Sequence, residues 1–73
     1  MKIRTQDGRQ CVEFGDCYVI SDPIGIGVCV RSVGDQVSVL AGNYADVARA
    51  KGVIQEIAQA YEQEKRLFYM PVE

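Results

Sequence analysis

Gln36-Val37-Ser38-Val39-Leu40-Ala41, followed after a short connection by Val47-Ala48-Arg49-Ala50-Lys51-Gly52-Val53-Ile54-Gln55-Glu56-Ile57, is the stretch whose reading decides the fold class. In its first half Val37 and Val39 alternate with Gln36 and Ser38, the period of a half-buried strand. In its second half the period lengthens to about 3.6 residues, which places Val47, Ala50, Ile54, Ile57, Ala58 and Tyr61 on one side of a helix. Lys51, Gln55, Gln59, Glu62 and Gln63 fall on the other side. Asp46 has the side chain of an N-cap, although Arg49 does not complete a capping box with it, and the pattern predicts a helix from Val47 to about Glu64.

Working back towards the N-terminus, the chain reads as strands and turns. Lys2 to Gln6 and Arg9 to Phe14 flank Asp7-Gly8, a pair suited to the backbone angles of a tight hairpin. Gly15-Asp16 interrupts, and Cys17-Tyr18-Val19-Ile20 resumes with β-branched and aromatic residues. Ser21-Asp22-Pro23 ends that strand, and Ile24-Gly25-Ile26-Gly27 reads as a loop or edge segment because its glycines leave it conformationally loose. Val28 to Val33 and Gln36 to Ala41 then flank Gly34-Asp35 at hairpin spacing. Beyond the helix, Leu67-Phe68-Tyr69-Met70, closed by Pro71, is a short apolar run that suits a last strand. The expected architecture is a single α+β domain over residues 1–73, an antiparallel β-meander of about five to six strands packed against one amphipathic helix near the C-terminus.

Composition narrows the function classes. Seventy-three residues, 48% of them hydrophobic and 25% charged, suffice for one modest core and leave little room for an enclosed active-site cavity. Ten acidic against eight basic residues give a net charge of −2, so the electrostatic attraction that dominates nucleic-acid binding is missing and no affinity for anionic membranes is expected. Histidine is absent, which removes the usual general base and the commonest transition-metal ligand. Cys11, Cys17 and Cys29 are odd in number and spaced by six and twelve, unlike a disulfide framework or a zinc knuckle, and reduced thiols are expected. No cofactor or metal is expected, and with no apolar N-terminal run the reading is a cytoplasmic, non-enzymatic chain.

The opening Ile3-Arg4-Thr5-Gln6-Asp7-Gly8, Leu40-Ala41-Gly42-Asn43-Tyr44, Arg49-Ala50-Lys51 with Val53-Ile54-Gln55-Glu56-Ile57, and the closing Phe68-Tyr69-Met70-Pro71 resemble a group of small uncharacterised proteins of Gram-positive bacteria and their prophages. In that pattern a Ser/Thr-Gln-Asp strand leads through a short meander and a Leu-Gly-x-Tyr turn into a helix, then a closing strand. This sequence departs from it at Ala45-Asp46-Val47-Ala48, where acidic residues usually open the helix, and at Gly52, where glutamate is common. The resemblance implies a phage or mobile-element setting and a protein that acts by binding and inhibiting a host component.

Three groups of residues are candidates for function. Gly52 costs roughly 1 kcal/mol relative to alanine inside a helix and lies on its outer side. With Ala48, Gln55 and Gln59 it forms a smooth, weakly charged stripe suited to contact with a partner, either a second copy in a homodimer or larger assembly or a host protein. Arg4, Arg9, Arg31 and Arg49 are candidates for holding a small anionic ligand such as a nucleotide, with Tyr18 or Tyr44 as a stacking face. The Gly25-Ile26-Gly27 segment lacks the lysine, third glycine and helix start of a phosphate loop. Among the thiols, alternation sets Cys11 beside Arg9 and Glu13, and Cys29 beside Arg31, on polar-looking strand faces, while packing as small apolar groups is the commoner fate of free cysteine. The leading expectation is an interaction module that self-associates, and the alternative is a protein that binds or sequesters a small anion.

Overall fold

The computed structural model describes residues 1–34 and 37–73, so the expected Gly34-Asp35 turn and the start of the strand at Gln36 lie partly outside the described residues. Among the described residues six strands and one helix follow in the order β1 (Lys2–Arg4), β2 (Cys11–Glu13), β3 (Asp16–Asp22), β4 (Gly25–Arg31), β5 (Ser38–Tyr44), α1 (Val47–Glu62) and β6 (Leu67–Tyr69). The α+β class and the position of the helix agree with the sequence reading. The strands divide into two sheets, a minor sheet ordered β2-β1-β6 and a major sheet ordered β3-β4-β5. All pairs are antiparallel except β1 with β6, which places the two ends of the chain side by side in parallel register, Ile3 opposite Phe68.

A common core forms where the inner face of each sheet meets the helix. Ile3, Val28, Val30, Ala41, Tyr44, Ala50, Val53, Ile57 and Met70 are buried in one cluster, and Val12, Phe14, Cys17, Val19, Ile26, Ile54 and Phe68 pack on it from its edge. Period-2 alternation accounts for the strand contributions: Ile26, Val28 and Val30 of β4 point inwards together, as do Cys17 and Val19 of β3.

The helix is rotated relative to the expected stripe. Its buried residues are Ala50, Val53, Ile57 and Ala60, whereas Val47 and Tyr61 are largely exposed and Ala58 is exposed. Val53 and Ile54 are adjacent apolar residues and alanine recurs at 48, 50, 58 and 60, so a pattern of hydrophobicity fits two orientations about 100° apart. Docking on the sheet selects Val53. Tyr61 instead tilts against the Phe14 ring at 5.3 Å between centroids. Asp46 is the N-cap as expected, its Oδ1 accepting from the Arg49 N–H at 2.8 Å. The helix stops at Glu62, two residues early, because Glu64 takes a left-handed conformation (φ 57°) and the Glu64 and Lys65 N–H groups turn back to Tyr61 O and Ala60 O.

Three other boundaries differ from the sequence reading. The segment expected to be a loop or edge segment, Ile24–Gly27, is neither: β4 begins at Gly25 and is the central strand of the major sheet. Its glycines serve close approach, not looseness. Gly25 has φ 152°, and a Cβ there would lie 2.7 Å from Tyr44 O, while one on Gly27 would lie 2.7 Å from Leu40 Cδ1 and 3.0 Å from Ile20 Cγ1. β5 runs on past Ala41, the expected end of the strand, to Tyr44, where the resemblance implied a turn, and absorbs an irregularity opposite Val28 and Cys29. The first hairpin has shorter strands than Lys2–Gln6 and Arg9–Phe14, because Thr5 organises its loop: the Thr5 hydroxyl donates to Asp7 Oδ1 (2.7 Å) and accepts from the Gln10 N–H (3.1 Å). That arrangement frees Gln6 to leave the minor sheet and donate its N–H to Ala41 O of β5 at 2.7 Å.

Candidate interaction surfaces

Both layers that cover the major sheet, the helix and the inner face of the minor sheet, lie on one side of it. The opposite side is an open face built by alternation: Asp16, Tyr18, Ile20 and Asp22 from β3, Gly25, Gly27, Cys29 and Arg31 from β4, and Ser38 and Leu40 from β5. Register arranges these side chains in rows across the strands. Asp16, Arg31 and Ser38 form a polar row, and Tyr18, Cys29 and Leu40 form the apolar row next to it. Ile20 and Leu40 then close over the bare backbone of Gly27. Tyr18 and Leu40 remain 40% and 44% exposed.

Cys29 sits in the middle of this strip and is buried, packed as a small apolar group as the commoner fate of free cysteine suggested, although it shares its strand face with Arg31. The neighbouring side chains of its own sheet bury it. Desolvation pushes its thiol above the ordinary value, only partly opposed by a hydrogen bond with Tyr18. The half-buried Cys17 on the inner face is likewise raised by desolvation, with Asp16 adding to the effect. Both thiols are held in the neutral form, which disfavours nucleophilic chemistry. Cys11 is exposed on the outer face of the minor sheet, directly opposite Arg4.

The helix stripe is only in part on the outer side. Ala48, Gln55 and Gln59 are exposed and Gly52 is half-buried. The fold supplies its own account of Gly52: the Arg49 side chain passes over it to reach Glu56 Oε2 at 3.1 Å, and a Cβ at Gly52 would meet only Arg49 Nη1, at 3.9 Å. The lane suits a small residue and does not require glycine.

The four arginines do not form one site. Arg4 and Arg9 share the first hairpin, where Arg4 Nη1 donates to Gly8 O at 3.2 Å and Arg9 is exposed. Arg31 grips Asp16 through two bonds of 2.7 and 3.3 Å at one end of the major sheet. Arg49 lies at the other end, 5.8 Å above the Tyr44 ring, and is tied to Glu56 and to Glu73 O. Tyr44 and Ser38 pair with Ile26 and Arg31 of β4, so these two arginines are separated by about 17 Å of strand. Tyr44 is no stacking platform for a ligand, because it is buried and its hydroxyl donates to Pro71 O at 2.8 Å; burial raises its pKa to about 12. The Gly25-Ile26-Gly27 amides belong to a β ladder and not to a phosphate loop.

One functional feature went unread in the sequence. Gln6 acts as a strand surrogate along β5: besides its backbone bond to Ala41, its Oε1 accepts from the Asn43 N–H at 2.8 Å and its Nε2 donates to Asn43 O, Pro71 O and Val72 O. A glutamine in a hairpin loop carries no pattern that would announce this. The open face did leave a signal, since Cys17-Tyr18-Val19-Ile20 is apolar on both alternating sets, as in a strand covered on two sides.

No family model matches the chain, and no curated protein or solved structure is significantly similar to it. Among the described residues no helix is long and apolar enough to cross a membrane.

Proposed function

We propose that this chain is a non-enzymatic protein–protein interaction module that self-associates. The observation that supports this reading is the open face of the major sheet, where Tyr18, Ile20, Cys29 and Leu40 make an apolar strip that the chain's own helix does not cover. A half-exposed strip on a seven-residue-stranded sheet is material for a second layer or a longer sheet. The stripe of Ala48, Gly52, Gln55 and Gln59 is the second contact surface, polar and better suited to a rim or to a further partner. We read the module as one of a phage or mobile-element setting, with a host protein as that further partner, a reading that rests on the resemblance of the chain's two ends alone. Small-anion binding is the weaker reading, because Arg31 and Arg49 already hold carboxylates at opposite ends of the sheet.

Size-exclusion chromatography with light scattering over a rising concentration series tests the proposal. The expected result is a mass that climbs from one chain towards two or more, together with flat thermal-shift profiles against nucleotides. A single-chain mass throughout, or selective stabilisation by a nucleotide, would overturn it.

A further inference from the structure

Among the described residues four strand edges bound the two sheets, and three of them are blocked or too short to recruit another strand. β2 and β6 have three residues each. β5 is blocked on its free side at Ala41 and Asn43 by Gln6, which leaves no run there longer than three residues. β3 is seven residues long, lies at the end of the sheet order, and among the described residues nothing pairs with its outer side.

The register shows which backbone groups that edge offers. Asp22 and Gly25 flank a two-residue connection, and at the other end the Gly15 N–H donates to Arg31 O beside the Asp16–Arg31 pair. Bonded and non-bonded pairs alternate along an antiparallel ladder, so Asp16, Tyr18, Ile20 and Asp22 bond to β4, and Cys17, Val19 and Ser21 turn their N–H and C=O groups outwards.

We infer that the β3 edge is the self-association surface, pairing antiparallel with the β3 of a second copy about a two-fold axis at Val19. This rests on the self-association proposed above and assigns it a surface. The argument for a second copy is that the edge complements itself in this register. The outward groups of Cys17 meet those of Ser21, and Val19 meets Val19, giving about six hydrogen bonds. On the open face Tyr18 of each copy lies opposite Ile20 of the other, an aromatic–aliphatic cross-strand pair. The two major sheets become one of six strands, and the strips of Tyr18, Cys29 and Leu40 join across the axis. The two-fold is also the commonest symmetry of soluble homo-oligomers.

The same register sets Asp16 opposite Asp22. Arg31 already neutralises Asp16, and among the described residues Asp22 accepts from the Ile24 N–H at 3.1 Å and forms no ion pair. The like charges therefore weaken the pairing without forbidding it, as acidic residues at the ends of an exposed strand commonly do. The dimer is expected to be weak and to tighten with added salt.

Sedimentation equilibrium on the wild type, Ser21→Pro and Asp22→Asn, with amide exchange at low and high concentration, tests the assignment. Ser21→Pro removes an outward donor while sparing the ladder with β4, and should weaken dimerisation by at least about tenfold. Asp22→Asn should tighten it by about twofold or more. In the wild type, the amides of Cys17, Val19 and Ser21 should become protected as concentration rises; this readout stands even where Ser21→Pro fails to fold. Association with those amides unprotected, or with a dissociation constant indifferent to both substitutions, overturns the β3 assignment and leaves self-association standing on another surface. A single-chain mass for the wild type at about 1 mM overturns both.

Discussion

The two sides of the major sheet were finished differently. On the inner face and at the Asn43 end of β5 the chain covers itself: the helix covers Val28 and Val30, and Gln6 bonds both backbone groups of Asn43. On the open face and along β3, Tyr18 and Leu40 stay half-exposed and the outer groups of Cys17, Val19 and Ser21 find no partner strand among the described residues. The finished side explains why the chain folds. The unfinished side marks where a second molecule is needed, and both belong to the same three strands.

The sharpest way to break the contrast is to damage the finished side. Ile57 is fully buried between helix and sheet, and Ile57→Ala should cost about 3–4 kcal/mol, most of the stability of a domain this size. Urea denaturation followed by circular dichroism should show a protein partly unfolded in water. A loss below about 1 kcal/mol would mean that the helix is not firmly docked. Removing the Gln6 side chain tests the edge instead. Gln6→Ala leaves the Asn43 N–H and C=O without their partners and frees the last residues, at a cost of about 2 kcal/mol. Faster amide exchange at Asn43 should accompany it, and the molecule would then have two open edges and a greater tendency to associate.

A smaller effect is expected from Tyr44, which joins the finished face to the C-terminal segment. Its pKa is raised to about 12 from an ordinary value of 10, so the folded state holds the phenolic proton more tightly than the unfolded chain does. The resulting stabilisation is fully present below pH 10 and is lost as pH rises from 10 towards 12. Tyr44→Phe should abolish that alkaline limb in a pH series of thermal melts, and cost about 1 kcal/mol at neutral pH through the bond to Pro71 O. An unchanged limb would assign it to another group.

How much of this could be read beforehand depends on whether the information is local. The α+β class, the helix start at Asp46 and the last strand were legible, because period, cap and a short apolar run are local signals. The rotation of the helix was not, since Val53 and Ile54 are both apolar and only docking distinguishes them. Gly25 and Gly27 misled because glycine in a sequence looks permissive, whereas here it makes room for Tyr44 O, Ile20 and Leu40, all far away in the chain or across a turn. Of the candidate site residues, Ala48, Gln55 and Gln59 lie exposed as expected. The arginines were grouped by chemistry alone, and chemistry says nothing of the distance between Arg31 and Arg49.

Gly52 separates the helix stripe from the open sheet face as contact surfaces. A Cβ at this position meets only Arg49 Nη1, at 3.9 Å, so Gly52→Ala removes the helix penalty of glycine without a clash. It should raise stability by roughly 0.5–1 kcal/mol, visible as a shift of several degrees in the melting temperature. The consequence for association divides the two surfaces. If copies meet through β3, the alanine leaves the dimer dissociation constant unchanged, since Gly52 lies on the helix and the edge lies on the sheet. If copies meet through the stripe of Ala48, Gly52, Gln55 and Gln59, the added methyl group stands in the contact, and the dissociation constant changes while the single chain grows more stable. A variant that is more stable and equally prone to associate would return Gly52 to the intramolecular role of clearing a path from Arg49 to Glu56.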